Sequence, residues 1–180
     1  MAKPKVKKND AFKKLYKNLD KIMADMLNVH GRRVNARIQK GIDNGVDVND
    51  KPFKPLSKVT GAMRIAKQGH YAQSGGGGIL NYTGKMKETS IDRATRKNPV
   101  YKITMEGKSS RTGTYYGALH NTGFKNSSKK TNWFPKATIP KRRWFGFPKG
   151  FAIGGKEWKK AVLEIKMRIK NEMKSPMKNI

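Results

Sequence analysis

The chain has no cysteine, which excludes a disulfide framework and any thiolate-held metal. It is also poor in acid: 12 Asp and Glu stand against 41 Lys and Arg, for a formal net charge of +29. Asp20, Asp25, Asp43, Asp47, Asp50 and Glu106 are too scattered for the compact carboxylate set that a two-metal centre needs. Glu157, Glu164 and Glu172 fall among lysines, where a carboxylate serves as a solvated ion-pair partner. The only histidines, His30, His70 and His120, form no H-x-x-x-H or H-x-H pattern, so each reads as a packing or surface residue. No apolar run approaches the roughly 20 residues of a membrane span. The basic N-terminus is followed by lysines alternating with apolar residues, not by the continuous apolar core of a signal peptide. Together these absences point away from catalysis. No metal, no cofactor and no membrane association are expected, and a cytoplasmic setting is.

Hydrophobic residues make up 36% of the 180, enough for the core of one compact domain. The positive charge exceeds what solubility needs, and its self-repulsion opposes compaction. A counter-charge is therefore expected, supplied by nucleic acid, by acidic protein surfaces or by phosphate.

Residues 1–10 are a polar, lysine-rich tail. From Ala11, the spacing of Phe12, Leu15, Leu19, Ile22, Met23 and Met26 lays an apolar stripe along a helix, and Val34, Ile38 and Ile42 continue it past Gly31. One long helix is predicted over 11–42, stopped by Asn44-Gly45. Asn49-Asp50, Pro52 and Pro55 then make 46–56 an arm or loop. Residues 65–78 end in four consecutive glycines, which read as a mobile flap; no Gly-Lys-Ser/Thr follows to make a phosphate loop. Tyr101, Ile103 and Met105 alternate with Lys102, Thr104 and Glu106, predicting a half-buried strand paired with 90–95 across a turn at 97–99. Residues 115–120 read as a short helix or turn ending at Gly123, and Trp133-Phe134 with Thr138-Ile139 as a further strand pair. After Gly154-Gly155, Trp158, Val162, Ile165 and Ile169 mark a last helix over 156–174. The expected fold is α+β: a single domain over 11–175, with a small, mostly antiparallel sheet packed against the terminal helices, extended arms, and a short end at 176–180.

The candidate contacts to DNA or to a partner are Arg32, Arg33, Lys141, Arg142 and Arg143, with Tyr115, Tyr116, Trp133, Phe134 and Trp144 available to stack on bases. The plainer alternative puts the aromatics in the core or at subunit contacts and leaves the charge as a solvated surface. It is preferred, because the charge runs the whole length of the chain and no nucleic-acid-binding motif of known geometry is present.

Several phrases recur in an informative order. They are Phe53-Lys54-Pro55-Leu56-Ser57 with Thr60, then Ile79-Leu80 leading to Thr83-Gly84-Lys85-Met86, then Ser90-Ile91, then Tyr116-Gly117-Ala118-Leu119-His120 with Gly123, then Ile139-Pro140-Lys141-Arg142. In this order the chain resembles the phage virion morphogenesis family, the Mu-like tail-completion proteins of tailed bacteriophages. The resemblance covers about residues 10–170, and its motif positions are Phe53, Leu56, Thr83, Gly84, Ser90, Tyr116, His120, Gly123, Pro140 and Arg142. It implies a non-enzymatic component of the virion neck, a head-tail connector or tail-terminator ring, assembled in the host cytoplasm. It further implies a homo-oligomeric ring, a hexamer before a dodecamer, touching connector or portal-side and tail-tube proteins, with genomic DNA passing sequence-independently through the lumen. The alternative function is that of a basic protein binding the phosphate backbone non-specifically.

Overall fold

The computed structural model describes residues 8–58, 61–62, 80, 85–105, 116–125 and 138–174. The glycine-rich stretch at 65–78, the first seven residues, Trp133-Phe134 and the end at 176–180 lie outside them. In chain order the elements are helix α1 (Lys8–Asp43), a 3₁₀ turn (Lys85–Lys87), strands β1 (Thr89–Asp92) and β2 (Lys102–Met105), helix α2 (Tyr116–Thr122), strands β3 (Phe124–Lys125) and β4 (Thr138–Ile139), and helix α3 (Lys156–Lys174). The fold is α+β, rich in helix, as the periodicity predicts. α1 begins at Lys8, earlier than expected, so residues 8–10 are helix and not tail. The chain divides into two compact units: Met1–Arg33, Asp92–Lys102 and Gly150–Ile180 form the first, Val34–Ile91 and Ile103–Lys149 the second. α1 contributes residues to both units.

In the first unit, the α1 stripe buries Ile22 and Met26 against Ala161 of α3, with Ile165 packed beside them. Met23 lies off the seam and is exposed. His30 is buried, its ring against Phe151 and edge-on to Trp158, with Nε2 3.3 Å from the Phe151 carbonyl. The Asn28 amide donates to the Ala94 carbonyl at 2.9 Å and accepts the Ala94 N–H at 2.8 Å, tying the segment after β1 to the helix. Gly31 lets the Tyr101 ring lie against α1, because a Cβ there would fall within the ring. α3 starts where the Gly150 carbonyl accepts the Glu157 N–H at 2.9 Å, satisfying one of the free donors of its first turn. Glu157 suits the positive helix end, and the Lys160 ammonium, 2.9 Å away, holds its carboxyl below the usual range.

In the second unit, Val34, Ile38 and Ile42 of α1 are buried together with Val48, Phe53, Met86 and Trp144. α1 ends in a Schellman motif: Gly45 takes φ 68°, its N–H bonds the Ile42 carbonyl, and the Val46 N–H reaches back to the Gly41 carbonyl at 2.9 Å. The stretch read as an arm or loop is a closed loop. Asp47 Oδ1 accepts the N–H groups of Asn49 and Lys51, Val46 bridges Pro52 antiparallel, and Arg37 pairs with Asp50. Val48 and Phe53 are buried, and Pro52 lies in the return of the loop.

β1 pairs with β2, and a turn in which the Thr95 N–H bonds the Asn98 carbonyl reverses the chain between them. The connection is too short for a parallel crossover, so the pair is antiparallel. Ile103 is half-buried and Lys102 and Thr104 are exposed, as the alternation predicts. The Thr138-Ile139 strand exists but pairs with Phe124-Lys125, which short polar-apolar runs do not reveal.

Candidate functional site

Arg142, a candidate phosphate contact from sequence, is buried at 3% exposure. Its Nε donates to the Lys54 carbonyl at 2.9 Å, Nη2 to the Pro55 carbonyl at 3.1 Å, and Nη1 lies 3.1 Å from His120 Nδ1. Arginine has only donors, so this contact is a hydrogen bond in the tautomer that leaves a lone pair on His120 Nδ1. The main chain reinforces the contact: the Arg142 N–H bonds the His120 carbonyl at 2.7 Å. Beside it, Trp144 is almost fully buried, with its indole N–H on the Gly117 carbonyl at 3.0 Å, and Asn121 Oδ1 accepts the Phe145 N–H. Gly123, at φ 81°, ends α2, and a Cβ there would press on the Lys141 backbone.

This knot gathers residues 53–55, 117–123 and 139–145, which belong to three of the separate sequence phrases. Phe53 is buried, Leu56 and Pro140 are half-buried, and Tyr116 opens α2. Ser90 lies exposed on β1, away from the named contacts of the knot. Thr83 and Gly84 lie outside the described residues. Arg142 is therefore corrected from a surface contact to an internal clamp. A planar guanidinium with fixed N–H directions holds two consecutive carbonyls and an imidazole at once. Its neighbours Lys141 and Arg143 are exposed. The sequence signal for this was present in Ile139-Pro140-Lys141-Arg142, but nothing in a basic run separates the arginine that folds inward from those that stay out.

Of the other candidates, Arg33 pairs with Glu164 at 3.3 Å on the surface of the first unit. Arg32 instead lines an open groove of about 350 Å³ with Asp25, Asn28, Val29, Arg93, Tyr101 and Arg168. Arg93 and Arg168 carry no motif, so sequence reading missed them; they come from the end of β1 and from α3. Among the described residues, no cluster of three His, Asp or Glu side chains could hold a metal, and no helix is long and apolar enough to cross a membrane. Compared with known protein families, curated proteins and solved structures, the chain matches none of them.

Proposed function

We propose that the protein is a structural component of a tailed-phage neck, a connector or tail-completion ring that joins the DNA-filled head to the tail. The observation that supports this reading most is the Arg142 knot. Three of the phrases that carry the resemblance, with positions up to 88 residues apart, meet in one hydrogen-bonded cluster, which supports reading those three as one structural motif. Ring formation also needs surface that subunits can cover. α3 offers Leu163 and Met167, 58% and 51% exposed, on one helical face, and Ile153 is exposed nearby in sequence. The partners of this role are further copies of the chain, connector and tail-tube proteins, and DNA in the lumen.

Deleting the gene should leave filled heads and free tails that fail to join; normal infectious virions from the deletion strain would refute the proposal. The rival, a free protein that binds the phosphate backbone, predicts tight duplex binding by the isolated subunit at physiological salt, with no rings formed. A lumen surface predicts weak, sequence-independent binding lost steeply between low and physiological salt.

A further inference from the structure

The groove bearing Arg32, Arg93 and Arg168 lies within the first unit, and its lining is unusual for a surface so rich in charge. All three arginines are exposed, and none makes a hydrogen bond or an ion pair among the described residues, whereas Arg33 next door and Arg37 one turn on are each paired with a carboxylate. The acid in the groove is Asp25, so it carries three positive charges against one negative. Tyr101 completes the lining, and its hydroxyl is buried without a hydrogen-bond partner among the described residues, a donor left unmet at a cost. Its ring lies against α1 at Gly31, where a side chain would meet it.

Three guanidiniums with free forks suit oxyanions that accept two parallel N–H bonds. Phosphate and carboxylate both qualify, but the lining decides between a phosphate polymer and a protein surface. A protein partner would need an apolar centre to bury, and the groove offers only Val29 and the Tyr101 ring among polar groups. We propose that this groove binds the phosphate backbone of duplex DNA, with Arg32, Arg93 and Arg168 as the contacts, resting on the neck role for the identity of the polymer. Binding there is sequence-independent, since the guanidiniums contact phosphates and not base edges. Asp25 weakens it and keeps the DNA free to pass.

The test is fluorescence-anisotropy titration of a labelled random-sequence duplex with the purified full chain over a series of salt concentrations. Each arginine that neutralises a phosphate contributes ~0.9 to the slope of log K against log salt, or ~8-fold in affinity at 0.1 M salt. The variant Arg32→Gln/Arg93→Gln/Arg168→Gln should therefore flatten the slope by ~2.7. Lys159→Gln/Lys166→Gln/Lys170→Gln, which removes the same charge from exposed α3 positions, should flatten it much less. Asp25→Asn should raise affinity, a gain that misfolding would not produce. Thermal melting checks each variant, and the single Arg168→Gln change serves if the triple is unstable.

Equal slope losses in the two triple variants, or no gain in Asp25→Asn, would overturn the groove as the site and leave a diffuse charge. Binding of an acidic peptide, poly-glutamate, at least as tight as that of the duplex would overturn the choice of DNA. Negative-stain microscopy separates this inference from the neck reading. Rings formed by the arginine triple variant with unchanged DNA binding would refute the groove alone, whereas a wild-type chain that forms no rings would count against the neck role whatever the slopes show.

Discussion

Replacing Arg142 tests the knot most directly. In Arg142→Met the stem is kept and the guanidinium lost, leaving the Lys54 and Pro55 carbonyls and His120 Nδ1 without the donors they now have. The three contacts are only part-buried, with Lys54 and Pro55 at exposed positions, so water can reach what the guanidinium leaves and each lost bond costs about 1 kcal/mol. The expected loss is therefore about 2–3 kcal/mol, still a large share of the stability of an ordinary domain. Arg142→Lys keeps the charge but presents a single ammonium that cannot reach three acceptors in a planar fork, so it should recover only part of the loss. Lys141→Ala and Arg143→Ala, at exposed neighbouring positions, should stay within about 0.5 kcal/mol of wild type. Urea unfolding followed by circular dichroism measures the series, read as a shift in midpoint at constant slope. If Arg142→Met loses less than about 1 kcal/mol, the buried clamp is not what holds the three segments together, and the structural case for treating the phrases as one motif fails.

Other substitutions carry clear signs. Gly31→Ala would gain about 1 kcal/mol of helix propensity but place a Cβ within the Tyr101 ring, so it should destabilise, and Tyr101→Ala in the same chain should relieve most of the effect in a double-mutant cycle. Gly155→Ala should destabilise by about 1–3 kcal/mol, since its Cβ would strike the Gly150 carbonyl that caps α3, and backbone cannot step aside as a side chain can; thermal melting reads it. Asn28→Ala should cost about 2 kcal/mol by removing both amide bonds to Ala94, and should raise hydrogen exchange at the Ala94 N–H specifically.

Much of the secondary structure was legible in the sequence, because it follows from local periodicity. The apolar stripes of α1 and α3, the Asn44-Gly45 stop, the break at Gly154-Gly155 and the alternation around Ile103 each depend on residues within a turn or two of one another. They match α1, α3 and the β1-β2 pair closely. The phrases behind the proposed neck role were likewise legible as an ordered set. Only the tertiary structure decided which residues meet. A run of Lys141, Arg142 and Arg143 looks uniformly basic, yet the middle one turns inward because two consecutive carbonyls and an imidazole, far away in sequence, converge where its fork can satisfy them. The partner of Thr138-Ile139 was hidden for the same reason: a two-residue strand has no periodicity of its own and is defined by its neighbour. Arg93 and Arg168 belong to no motif, and they join Arg32 in one groove because folding brings the end of β1 and the face of α3 alongside α1. Local propensity is set by each residue's own backbone and side chain. Burial, pairing and shared grooves are set by the contacts that folding closes between distant segments.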